Sequence, residues 1–218
     1  MSDIRLIALD LDGTVFNDQK EITPRTMAAI RAAIAKGVDV IPATGRTETG
    51  VPEEFLKMPG VHYALTSNGA TVVELATARH LVELPFEPEV AQAVYDRVAK
   101  SGGTMGIFVD GECYTDRYGA NEGLDLYPPA LRNYLKSTRI LVEDIHAFFQ
   151  AHPHGVEKFS IMYPDTASRD AAWQAVAKDC HVELTSSIPN NLEINAPGVT
   201  KGRGLAALAD ALGLDRSQ

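Results

Sequence analysis

Ile4-Arg5-Leu6-Ile7-Ala8-Leu9-Asp10-Leu11-Asp12-Gly13-Thr14 decides the fold of this 218-residue chain. From Ile4 to Leu11 the run is apolar except at Arg5 and Asp10. It is too short for a helix and reads as a strand buried on both faces of a parallel sheet. Asp10 and Asp12 fall at its carboxyl end, where open α/β sheets place their ligands. Residues two apart in an extended chain face the same side, so both carboxylates can be aimed at one point. Gly13 then lets the backbone turn sharply and present amides to an anion. Like charges this close are costly without a cation, and oxygen donors of this kind suit magnesium, with Asp10 and Asp12 as the metal-ligating candidates. An EF-hand is excluded: its third Asp or Asn before the glycine and its later Glu are missing, and a strand stands where its helix would be.

Working outward, Thr23 is placed to cap a helix, with Pro24 in the first turn and Gly37 beyond its end. Met27, Ile30 and Ile34 give that helix its buried stripe. Val38 to Ala43 is a second strand, completing a βαβ unit. Tyr63 to Thr66 is a third strand, followed by a Ser67-Asn68-Gly69 turn and a hairpin strand at Thr71-Val72-Val73. From about Leu81 amphipathic stretches (Val90 to Val98, Asp170 to Ala177) alternate with strand-like pieces at Thr104 to Val109 and Lys158 to Tyr163. That alternation predicts an inserted α+β domain over residues 82–188. Short-strand character returns near Leu192-Glu193-Ile194, and Thr200 to Leu212 is a final helix. The expectation is an α/β fold: a doubly wound, Rossmann-like parallel-sheet core over 1–81 and 189–218, interrupted by an α+β cap.

A net charge of -9 argues against nonspecific binding to nucleic acid or anionic membrane. No stretch is long and apolar enough for a membrane span, and Met1-Ser2-Asp3-Ile4-Arg5 lacks the basic start of a signal peptide. Cys113 and Cys180 have no spacing suited to zinc or to a redox pair. A cytoplasmic protein with reduced thiols is expected.

Three further segments carry chemistry. Thr44-Gly45-Arg46 ends the second strand, where a hydroxyl and a glycine-freed amide can cradle a phosphoryl oxygen. Asn68 ends the third strand, either as a ligand or as a turn residue. Lys201 lies in the first turn of the last helix, where the helix dipole disfavours a cation; facing a phosphate and the Asp10 carboxylate would explain it.

With these residues in hand, Asp10-Leu11-Asp12-Gly13-Thr14 after a hydrophobic strand resembles the first signature of the haloacid dehalogenase superfamily. The order of the later pieces is similar to the Cof-type sugar phosphatases. The resemblance implies that Asp10 attacks phosphorus to form a phosphoaspartate and that Asp12 acts as acid, then base. It assigns Leu11, Thr44, Gly45, Arg46, Asn68 and Lys201 to the substrate phosphate, and Mg2+ to the Asp10 carboxylate with the Asp12 main-chain carbonyl. The function it implies is magnesium-dependent hydrolysis of a small phosphorylated metabolite, with no nucleic-acid or membrane partner. A phosphomutase and a silent phosphate-ligand binder or assembly protein are the alternatives.

In the family the last helix leads to a strand ending in a Gly-Asp-x-x-Asn-Asp signature, which this sequence does not contain. The resemblance therefore implies a core truncated at its C-terminus, weaker magnesium binding, and an open edge on the Asp10 strand that invites a homo-oligomer.

Overall fold

The computed structural model describes residues 4–17 and 19–218. The reading of Met1, Ser2 and Asp3 at the N-terminus lies outside them. The fold is α/β and divides into two compact units, the first ending at Glu83 and resuming at Thr200–Gln218, the second spanning Leu84–Val199.

In the first unit, β1 (Leu6–Leu9) pairs in parallel with β2 (Asp39–Pro42), Leu6 opposite Asp39 and Leu9 opposite Pro42. A parallel bridge from Ala43 to Leu65 carries the order on to β3 (Tyr63–Thr66). Beyond β3 the chain meanders antiparallel through β4 (Thr71–Glu74) and β5 (Arg79–Glu83). The expected parallel sheet is therefore confined to three strands. β1 also differs from expectation: all four of its residues are partly exposed rather than buried on both faces. It has a strand neighbour on one side only, among the described residues, while β2 and β3 are buried along most of their length.

The crossover helix, Pro24–Ile34, forms as its sequence dictates. The Thr23 hydroxyl accepts from the Thr26 amide at 3.2 Å, and Pro24 lies in the first turn, where a missing N–H costs nothing. Ile30 is buried, and Met27 and Ile34 pack against the same apolar cluster, which includes Leu11, Val40 and Phe55. This helix anchors the strand that ends at Asp10.

The second unit holds one six-stranded sheet. In chain order its strands are β6 (Thr104–Val109), β7 (Glu112–Thr115), β8 (Arg139–Leu141), β9 (Val156–Met162), β10 (Glu183–Thr185) and β11 (Asn191–Asn195). Their spatial order is β10-β11-β9-β6-β7-β8, antiparallel except between β7 and β8. Asp110 and Gly111, both at positive φ, make the β6–β7 hairpin as their type favours. Strand β11 corrects an expectation. Leu192-Glu193-Ile194 does not return to the first unit but lies between β9 and β10, so the division falls at Val199 rather than Ile188. A short apolar strand reads the same in either sheet; only its pairing partners decide.

One glycine sets how the C-terminal helix, Lys201–Ala211, joins the first unit. Ser67, Asn68 and Gly69 all take positive φ (49, 62 and 97°). A Cβ on Gly69 would stand 2.3 Å from the Thr200 carbonyl oxygen, and one on Gly204 would stand 2.9 Å from the Gly69 Cα. Backbone meets backbone here, with no room for a side chain on either side. Gly69→Ala is expected to lower the unfolding free energy by about 2 kcal/mol or more, from the left-handed backbone and the overlap together. Urea titration of the two proteins would measure it, and a loss under about 0.5 kcal/mol would contradict this packing.

Candidate active site

Main-chain hydrogen bonds bring the three strand ends together. The Ala43 amide donates to the Leu9 carbonyl at 2.8 Å, tying the end of β2 to the end of β1. The Thr44 amide donates to Leu65 at 2.9 Å, tying β2 to β3. The turn after β3 then reaches back: the Ser67 amide donates to the Arg46 carbonyl and the Asn68 amide to the Thr44 carbonyl, both at 3.0 Å. Gly69 in that turn abuts Thr200 and Lys201. Asp10, Thr44, Asn68 and Lys201 are thus set by neighbouring backbone.

The loop after β1 carries the two carboxylates on either side of Leu11. Asp10 and Asp12 are both extended (φ -67 and -77°), while Leu11 between them is fully buried and anchors the loop in the core. Gly13, at φ 82°, then turns the chain, and the Val15 and Phe16 amides close the loop onto the Asp10 and Leu11 carbonyls. Both carboxylates stay accessible, with side-chain exposures of 46% and 40%.

Each carboxylate has cations. Lys201 Nζ lies 2.8 Å from Asp10 Oδ1, so the attraction expected to offset the helix dipole is present. Arg46 grips Asp12 with two nitrogens, Nε to Oδ2 and Nη2 to Oδ1, each at 2.9 Å. Its Nη1 donates to the Gly50 carbonyl at 3.0 Å, and its guanidinium lies 4.8 Å over the Phe16 ring. Lys20 Nζ adds a third contact to Asp12 Oδ1 at 2.9 Å. Expected as a phosphate contact, Arg46 here directs Nε and Nη2 to Asp12 and Nη1 to Gly50. Thr44 is buried, and its hydroxyl accepts from the Arg46 amide at 3.2 Å and keeps its own hydrogen to donate.

Lys20 and the strained Ser67 are site residues that sequence reasoning missed. Nothing in the spacing of Lys20 marks it, because it meets Asp12 through a turn. Among the described residues no group of three His, Cys, Asp or Glu is arranged to hold a metal. Magnesium does not need such a group, because it keeps several waters and takes one or two carboxylates plus substrate phosphate.

Burial pushes the Asp12 carboxyl up, but hydrogen bonds and charge from Arg46 and Lys20 outweigh it and hold the group below its ordinary pKa. A depressed carboxylate contributes stability that is present above the unfolded-state pKa, about 3.9, and lost as pH falls through the folded value. Comparing wild type with Asp12→Asn by urea unfolding should therefore show any wild-type advantage at pH 7 shrinking below about pH 4. An advantage that grows on acidification would contradict the ion pairs.

Comparison with known proteins gives the family. Residues 7–218 match the family model of haloacid dehalogenase-like hydrolases. The chain is 28% identical over 214 residues to the 5-amino-6-(5-phospho-D-ribitylamino)uracil phosphatase YcsE of Bacillus subtilis, covering 97% of this chain and 73% of that protein. It superposes with a TM-score of 0.81 and 22% identity on a haloacid dehalogenase-like hydrolase from B. subtilis, over 97% of this chain and 80% of the other. A sugar phosphatase of haloacid dehalogenase subclass IIB gives a TM-score of 0.75 at 18% identity, over 97% and 77% of the two chains. Among the described residues no helix is long and apolar enough to cross a membrane. With a strand-end aspartate pair, a lysine on the first carboxylate and a family match over nearly its whole length, the chain belongs to the haloacid dehalogenase-like hydrolases.

Proposed function

We propose that this hydrolase cleaves small phosphomonoesters, sugar phosphates foremost, through a phosphoaspartate on Asp10. The observation that carries the reading is the Asp10 carboxylate: exposed, fixed by buried Leu11, and 2.8 Å from Lys201. The relative that acts on a phosphorylated ribityl compound supports the substrate class.

In this reading an Asp10 oxygen attacks phosphorus and the ester bond breaks, its electron pair staying on the leaving oxygen. Asp12 gives that oxygen a proton, then takes one from the water that hydrolyses the acyl phosphate, releasing phosphate and restoring Asp10. Lys201 and the Thr44 hydroxyl hold phosphoryl oxygens as charge builds on them. The Asp10 carboxylate and the Asp12 carbonyl would hold magnesium, whose chemistry when bound is neutralisation of phosphoryl charge. Arg46 and Lys20 favour the ionised form of Asp12, so an incoming phosphate that shares those cations eases proton donation.

Hydrolysis of p-nitrophenyl phosphate, with magnesium and with a chelator, tests the reading. Wild type should turn over only with magnesium, and Asp10→Asn should lower kcat on the order of a thousandfold or more, as expected for loss of a nucleophile. Retained activity in Asp10→Asn would sink the phosphoaspartate. No turnover in wild type, with phosphate raising its melting temperature, would point instead to a phosphate-ligand binder.

A further inference from the structure

Lys20 stands at the site, yet no motif assigns it a role. It belongs to a tight turn in which the Lys20 amide donates to the Asn17 carbonyl at 3.0 Å. Asn17 Oδ1 accepts from the Gln19 and Glu21 amides at 3.0 and 2.9 Å, and an antiparallel bridge between Phe16 and Ile22 closes the turn. Within it Lys20 takes φ 62°, a left-handed conformation that is unfavourable for a residue with a Cβ. Such strain gathers where a side chain must be presented in one direction. Here it accompanies an ammonium 2.9 Å from the Asp12 carboxylate.

The cations of the site are held unequally. Arg46 is fixed by both Asp12 oxygens, by Gly50 and by the Phe16 ring, and its side chain is only 11% exposed. Lys201 is rooted in the first turn of a helix and meets Asp10. The Lys20 side chain is 35% exposed and, among the described residues, contacts a single oxygen, Asp12 Oδ1, which Arg46 Nη2 also holds. Taking Lys20 away leaves Asp12 gripped by Arg46, so Lys20 is the cation that changes partner at least cost.

We propose that Lys20 is a substrate-contacting residue on the leaving-group side of the site. This rests on the phosphomonoesterase reading. When a phosphomonoester binds, the Lys20 ammonium passes from Asp12 Oδ1 to the ester oxygen that joins phosphorus to the organic group. The side follows from its neighbour: Asp12 serves the leaving oxygen, whereas Lys201, against Asp10, serves the oxygens that remain on phosphorus. As Asp10 bonds to phosphorus and the ester bond breaks, the electron pair stays on the leaving oxygen until the proton from Asp12 arrives. A cation there stabilises the charge that develops in the transition state. The poorer the leaving group, the more that charge matters.

The test compares Lys20→Gln and Lys20→Arg with wild type on two substrates. One is p-nitrophenyl phosphate, whose phenolate departs as a stabilised anion. The other is the alkyl phosphate that the enzyme turns over best in a panel of sugar phosphates. Lys20→Gln should lower kcat/KM for the sugar phosphate on the order of tenfold or more, and for the aryl ester by less than about threefold. Lys20→Arg should recover most of the loss. Equal losses on both substrates, no loss on either, or wild-type activity on the aryl ester alone would overturn the proposal. A wild-type chain that hydrolyses neither substrate sinks the phosphomonoesterase reading and this inference with it. An active wild type with an indifferent Lys20→Gln sinks the inference alone.

Discussion

The left-handed turn Ser67-Asn68-Gly69 is the constraint on which the rest of the site depends. Its two amides bind the carbonyls of Arg46 and Thr44, which fixes the loop after β2 against the end of β3. Its glycine lies against the Thr200 carbonyl, which brings the start of the C-terminal helix to the same place. Two non-glycine residues, one of them the fully buried Ser67, hold positive φ to make this possible. Such strain persists only where surrounding hydrogen bonds over-determine it. The sheet supplies strand ends in a row, and this turn makes them converge.

Charge is arranged on two scales. The chain as a whole is acidic, at -9. At the site Arg46, Lys20 and Lys201 meet Asp10 and Asp12, three cations to two carboxylates. The surplus is local and built from groups in direct contact. Arg46 and Lys20 both grip Asp12, while Asp10 meets the lysine of the last helix.

The second unit solves a different problem, charges inside a sheet. Lys158 on β9 and Glu193 on β11 are both nearly excluded from water and lie 3.1 Å apart, with the Lys158 ammonium 4.2 Å over the Phe108 ring. Asn191 and Asn195 donate to the Ile161 and Glu157 carbonyls across the same strand pair. Any slip of β11 against β9 would leave a buried charge or amide without its partner, a penalty of several kcal/mol. This pairing holds β11 in the sheet of the second unit, although its short apolar centre reads equally well as a strand of the first.

The sequence by itself determined what depends on near neighbours. The crossover helix with its Thr23 cap, the strands β1 to β3 and the Asp110-Gly111 hairpin all follow from residues a few positions apart. The pairing of Lys201 with Asp10 was legible too, because a lysine in the first turn of a helix needs a nearby anion. Tertiary structure alone decided which sheet β11 joins, how far β1 is buried, where Arg46 sends its donors, and that Lys20 belongs to the site at all. The physical reason is the same each time. Propensity, capping and alternation act over one or two turns of chain, whereas a partner for a charge or for a strand edge is chosen in space, among groups that the sequence keeps far apart.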